Sequence, residues 1–323
     1  MNYRTFGRTG WQVSEIGYGM WGMGGWTGSS DEESLRSLNL AVELGCNFFD
    51  TAFAYGEGHS EQLLGQIVRQ HPGKKLYTAT KIPPKNRQWP SRRDSQLQDV
   101  FPPDYIRAMT EKSLENLGLS SVDLQQFHVW EDSWAHDERW QRAVDDLKRE
   151  GLIGAVGISI NRWEPWNALE TLRTGLIDAV QVIYNIFDQA PEDELFPLCQ
   201  QLNIGVIARV PFDEGTLTGT LTQDSHWPAG DWRNIYFVPE NLIASVQRAE
   251  RLKPLVPPGT TMADMALKWI LANGAVSAII PGMRKEKNVR ANLAASDGKL
   301  LPAELMHELK QHRWDRVPTE WSQ

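Results

Sequence analysis

The stretch FFDTAFAYGEGHSEQLLG, residues 48–65, is where the fold is read most directly. Two phenylalanines lead into Asp50, and the apolar run stops at that carboxylate. A glycine-containing turn carries Tyr55, and from residue 60 onward Leu63, Leu64 and Ile67 recur at helical spacing. A short buried strand, a loop with ionisable side chains and an amphipathic helix thus follow one another. The same unit recurs along the chain. Strand-like runs lie at 15–19, 47–50, 76–81, 124–128, 155–159, 179–184, 205–208 and 277–281, and helical patterns at 31–44, 60–69, 103–117, 138–150, 163–174, 192–202, 261–273 and 285–295. Eight strands that each precede a helix predict a closed (β/α)8 barrel, a TIM barrel, formed by residues 1–323 as one domain. A doubly wound open sheet is the alternative. Against it, the glycines at 17, 19, 22, 24, 25 and 28 lack the spacing of a dinucleotide fingerprint. Residues 3–6 and 11–16, around Gly7 and Gly10, predict an N-terminal β-hairpin that plugs the barrel floor. Residues 85–102 and 210–239 predict long loops on the carboxyl-terminal face.

Composition narrows the functional classes. With 33 Lys plus Arg against 41 Asp plus Glu, the formal charge is −8, which argues against nucleic acid as a partner because phosphate-backbone affinity needs clustered positive charge. No apolar run approaches the roughly 20 residues of a membrane-spanning helix. The opening MNYRTFGRTG lacks the apolar core of a secretory signal, and two cysteines, Cys46 and Cys199, are too few for a disulfide framework. The expectation is a cytoplasmic protein acting on a small molecule; the oligomeric state is left open.

In such a barrel the site lies at the carboxyl ends of the strands. Asp50, Lys81 and His128 each end a strand-like run, and Tyr55 follows Asp50 in the same loop. Taken singly, an Asp before Thr51 reads as a turn residue, a strand-end Lys as surface, and a His among aromatics as structural. Converging at one mouth, the four make a proton-transfer device. Tyr55 carries a hydroxyl able to protonate a carbonyl oxygen, with an ordinary pKa of about 10. Lys81 is expected to lower that value, Asp50 to hold the ammonium, and His128 to orient or polarise the carbonyl. A metal-dependent hydrolase using Asp50, His59 and His128 is a rival reading, although metal sites of that kind normally draw on more strand-end ligands.

At these residues the sequence resembles the aldo-keto reductase superfamily over nearly its whole length. The motifs are residues 48–65, with Asp50, Tyr55 and the Gly-x-x-x-Ser-Glu run, then TATK at 78–81 and DLQQFHVW at 123–130. The resemblance implies an NAD(P)H-dependent oxidoreductase that reduces a small carbonyl substrate, with a nicotinamide cofactor extended across the barrel mouth and no metal. It places Ser159, Asn161 and Gln181 at the nicotinamide carboxamide. One residue, Ile160, separates Ser159 from Asn161, where the commoner family text has the pair side by side. Arg209 stands where many members carry a ring-stacking Tyr, and Pro211, Gly215, Leu217 and Gly219 correspond to the pyrophosphate loop. Gly282, Arg284, Lys285, Asn288 and Asn292 correspond to the adenosine side; the two cations suggest NADPH, with NADH possible. Trp21, Phe53, Trp89 and Trp130 are the substrate-pocket candidates, with Trp232 and Trp314 from the long loop and the tail. A nucleotide-sensing or regulatory subunit with little turnover is the alternative function on the same scaffold.

Overall fold

The computed structural model describes residues 1–25, 28 and 30–322. Strands β1 (Tyr3–Phe6) and β2 (Trp11–Ser14) pair antiparallel. Eight parallel strands follow: β3 (Tyr18–Gly19), β4 (Phe48–Asp50), β5 (Tyr77–Ile82), β6 (Val122–Phe127), β7 (Ile153–Ser159), β8 (Ala179–Ile183), β9 (Gly205–Arg209) and β10 (Ala278–Ile279). They are hydrogen-bonded in chain order, and bridges from Ile16 to Ile279 and from Gly19 to Gly282 join the last strand to the first. The predicted (β/α)8 barrel is therefore present, with the first and last strands shorter than expected. Among the described residues twelve α-helices accompany it: α1 (Asp31–Glu43), α2 (His59–Gln70), α3 (Leu97–Val100), α4 (Pro103–Leu117), α5 (Glu138–Arg149), α6 (Leu169–Arg173), α7 (Leu195–Leu202), α8 (Arg233–Tyr236), α9 (Pro239–Leu252), α10 (Met262–Leu271), α11 (Glu286–Ala294) and α12 (Ala303–Lys310).

The period-2 alternation of a strand explains how the barrel places its chemistry. Along β4, β5, β6, β8 and β9 the lower inward positions are Phe48, Ala79, Leu124, Ala179 and Ile207, which pack in one buried cluster with Phe6 and Val13 of the hairpin. Two residues further up the same face come Asp50, Lys81, Gln126, Gln181 and Arg209. The barrel interior thus changes from apolar to polar within one side-chain layer. The hairpin closes the floor as expected. Its turn at Gly7, with φ +50°, comes so close to β9 that a Cβ would sit 2.3 Å from the Gly205 nitrogen.

Several elements differ from the sequence reading. The helical pattern at 163–174 shrinks to α6, because Trp163 is held at φ +59° and Pro165 follows it. The segment at 192–202 begins its helix only at Leu195; that start puts Pro197 in the first turn, where its missing N–H has no helical partner to lose. Helices α9 and α12 were not anticipated. The pattern for α9 is in the chain nonetheless: Pro239 at its start, then Leu242, Val246, Ala249 and Leu252 on one buried face. No helix among the described residues is long and apolar enough to cross a membrane.

Candidate active site

A cavity of about 800 Å³ opens at the carboxyl ends of the strands. At its base the Lys81 ammonium, fully buried, donates to Asp50 Oδ2 at 2.6 Å and to the Thr51 carbonyl at 2.7 Å. The Tyr55 hydroxyl lies 3.4 Å from the same nitrogen. Left-handed backbone at Gly56, Glu57 and Gly58 turns the chain sharply from β4 into α2, which folds Tyr55 back over Lys81. His128 meets the Tyr55 ring edge-on at 5.7 Å and Trp89 at 4.7 Å. All four expected groups converge.

Their electrostatics depart from the sequence reading in one respect. Burial pushes the Tyr55 phenol above its ordinary value, and the opposing pull of Lys81 does not reverse this. Burial works most strongly against the Lys81 charge, but Asp50 and Tyr55 together more than offset it and its pKa is held up. His128 is driven well below its usual range by burial, with Lys81 and Arg209 acting in the same direction, so the imidazole is neutral. Its Nδ1 is buried with no hydrogen-bond partner among the described residues.

Gln126 is a site residue that the sequence reading missed. Both Gln126 and Gln181 donate through Nε2 to Asp50 Oδ1, at 3.1 and 2.8 Å, and Gln181 Nε2 also reaches Gln126 Oε1 at 3.3 Å. With its amide hydrogens so engaged, Gln181 offers its Oε1 to the cavity it lines. The alternation that puts Leu124 and His128 inward puts Gln126 between them, which is the signal that would have found it.

On the cavity wall stand Ser159, Asn161, Arg209, Pro211 and Gly215, and further along Gly282, Arg284, Lys285 and Asn288. The Asn161 amide is already occupied: Nδ2 donates to Ser91 Oγ, the Trp130 carbonyl and Glu131 Oε1 at 3.0–3.1 Å. Leu217, Gly219 and Asn292 do not line the cavity. Leu217 is buried in the core, Gly219 faces Met262, and Asn292 is buried on α11. Trp21, Trp89 and Trp232 form aromatic walls, Trp21 and Trp232 meeting edge-on at 5.4 Å. Trp130 is a correction: it is fully buried among Phe127, Trp134 and Trp140, with Nε1 bonded to Thr171 Oγ1. Two residues past His128, the chain has turned from the mouth into the packing beneath α5 and α6. Phe53 lies outside the lining as well, its place taken by Ala54. The rival triad is not assembled, since the His59 ring bonds Asp31 at 2.8 Å. Among the described residues no group of three or more His, Cys, Asp or Glu is placed to hold a metal.

The tail and the loop after β9 complete the mouth. Val210, Asp213 and Glu214 are non-glycine residues in left-handed conformation, followed by Gly215 at φ +107°. Glu214 bonds Arg162 at 2.6 Å, and Asp213 bonds Arg316 of the tail at 2.7 Å. Arg316 also pairs with Asp188 and lies between the rings of Trp163 and Trp314, 4.5 Å from each. Trp314 therefore buttresses the tail rather than lining the cavity, which Pro318 and Ser322 reach. These ion pairs join residues 52, 103 and 128 positions apart, and no local motif announces them.

The site suits a dinucleotide. A Cβ at Gly215 or Gly282 would meet no protein atom, so the backbone there is open to a ligand. Arg209 Nε is buried without a partner, and neither Arg284 nor Lys285 takes part in an ion pair among the described residues. Comparison with known proteins agrees with the geometry. The model of the Aldo/keto reductase family matches residues 15–313. An NADH-specific methylglyoxal reductase of Escherichia coli is 31% identical over 320 residues, spanning 94% of this chain and 97% of its own. A Schizosaccharomyces pombe aldo-keto reductase named for NADP(+) is 28% identical, spanning 90% and 86%. The holo form of a Bacillus halodurans aldo-keto reductase superimposes with a TM-score of 0.77 at 25% identity, covering both chains completely.

Proposed function

The chain belongs to the aldo/keto reductase family, whose members are oxidoreductases with nicotinamide cofactors, and from that premise we propose that it reduces aldehydes or ketones with NADPH in preference to NADH. The observation that carries the reading is the buried chain from Asp50 through Lys81 to the Tyr55 hydroxyl at the base of an open cavity. Bound reduced nicotinamide supplies the hydride. The protein's own groups handle the proton and the position. Tyr55 holds its proton at neutral pH, where an ordinary phenol of pKa about 10 is already protonated and burial raises that value further, and gives it to the carbonyl oxygen as charge develops there. The ammonium 3.4 Å away stabilises the phenolate left behind, and Asp50 with the Thr51 carbonyl keeps Nζ from following the proton. A neutral His128 offers one hydrogen bond to the carbonyl without adding charge. Ser159 and Gln181 Oε1, both on the cavity wall, would orient the carboxamide. Arg284 and Lys285, without ion pairs among the described residues and standing at the start of α11, provide cations for a 2′-phosphate, and the helix N-terminus adds to the attraction. The aromatic walls of Trp21, Trp89 and Trp232 suit an apolar or sugar-like carbonyl compound. We place this activity in the cytoplasm, where both free cysteines stay reduced.

The test is a titration with NADPH and then NADH, followed by quenching of tryptophan fluorescence, with a screen of carbonyl substrates. Tight NADPH binding with weaker NADH binding and measurable turnover is the expected result. Equal binding withdraws the cofactor preference, binding without turnover on any carbonyl favours the nucleotide-sensing alternative, and binding of neither overturns the reading.

A further inference from the structure

The ends of β7 and β9 bring two guanidinium groups and one carboxylate to the same side of the cavity: Arg162, Arg209 and Glu214. Glu214 is committed to Arg162 at 2.6 Å, and Arg162 also lies over the Tyr236 ring at 5.0 Å. Arg209 has no comparable partner. Its Nη2 donates to the Ile160 carbonyl at 3.0 Å, its Nε is buried and unpaired, and no carboxylate among the described residues forms an ion pair with it. Asp50, the acid on the far side of Tyr55, already accepts from Lys81, Gln126 and Gln181. One positive charge at the reaction end of the cavity is therefore without an ion-pair partner among the described residues, and the fields of Glu214 and Asp50 oppose it only from beyond ion-pair distance. Burial and the neighbouring Arg162 push Arg209 down to about 10, still charged at neutral pH, and its field is felt at the site, where it lowers the proton affinity of His128. A desolvated charge of this kind is costly unless the bound state makes use of it.

We propose that Arg209 sorts the oxidation state of the cofactor, its uncompensated charge disfavouring the cationic oxidised nicotinamide while leaving the neutral reduced ring untouched. The inference rests on the nicotinamide reading above. Hydride transfer requires the ring to touch the carbonyl whose oxygen meets Tyr55, and that geometry keeps it within the reach of Arg209. Two like charges several ångströms apart in a partly desolvated cleft change an equilibrium by about tenfold to a hundredfold. The consequence is a chain that retains NAD(P)H, releases NAD(P)+, and works mainly as a reductase.

The experiment measures dissociation constants of NADPH, NADP+, NADH and NAD+ by fluorescence titration of the full chain without carbonyl substrate. In the unmodified protein the reduced form of each pair is expected to bind at least about tenfold more tightly than the oxidised form. Arg209→Gln should shrink that ratio, mainly by tightening the oxidised form, and Arg209→Lys should keep it. Glu214→Gln, which leaves Arg162 uncompensated as well, should widen it, and this opposite sign provides a test even if Arg209→Gln does not fold. A ratio near one in the unmodified protein, a ratio unchanged by Arg209→Gln, loss of the ratio in Arg209→Lys, or a narrowing in Glu214→Gln overturns the assignment. Failure of the unmodified protein to bind any of the four nucleotides overturns instead the nicotinamide reading on which it stands.

Discussion

The two sides of the cavity treat charge in opposite ways. On the β4–β6 side every ionised group is matched within the protein: Lys81 holds Asp50, and two glutamine amides take the second carboxylate oxygen. On the side of β9 and α11, Arg209, Arg284 and Lys285 line the cavity without ion-pair partners among the described residues. The first arrangement is a finished device whose groups are positioned before any ligand arrives. The second leaves positive charge to be answered by whatever binds. The contrast separates residues that perform the proton transfer from residues that select what is held beside it.

Tyr55→Phe tests the finished side most sharply. Loss of the acid should lower carbonyl turnover by about 10² to 10⁴-fold while cofactor dissociation constants stay within about twofold. The pH dependence has a definite sign. Reduction needs the protonated phenol, and burial raises its pKa, so turnover should stay flat through neutral pH and fall only above the ordinary tyrosine range of about 10. A steady-state profile that declined on the alkaline side already at pH 8 would break the assignment. Lys81→Met should cost about 3–5 kcal/mol of stability in urea denaturation, because it strands a buried carboxylate. Gln126→Leu removes one donor to Asp50 and the acceptor of Gln181. A loss of roughly 1.5–3 kcal/mol in stability is expected, together with a lower kcat at unchanged cofactor affinity. The selecting side should respond less. Arg284→Ala is expected to weaken NADPH by about tenfold, roughly 1.4 kcal/mol, and leave NADH unaffected; equal loss for both cofactors would erase the distinction between the two sides.

Much of this was legible in the chain. Each of Asp50, Lys81 and His128 ends a strand-like run, and the order of strand and helix patterns already implied the barrel. Trp130 was misplaced because its proximity to His128 says nothing about which way the chain turns after the strand. Gln126 was missed although its inward register follows from that of His128. Helix α9 carries a readable apolar face, but residues 240–252 were assigned to no element in the sequence reading. The tail's role was not readable at all: Arg316 finds Asp188 and Asp213, 128 and 103 residues away.

By itself, the sequence determined which residues lie on the barrel's inner face and where each strand changes from apolar to acid, base or amide, because both follow from a local period of two. Tertiary structure alone decided the protonation states and the charge balance. Desolvation of Tyr55 outweighs the ammonium beside it, and Glu214 falls to Arg162 rather than Arg209. Burial and Coulomb interactions depend on distances between strands and loops that the chain brings together only on closing the barrel, and no local pattern encodes them.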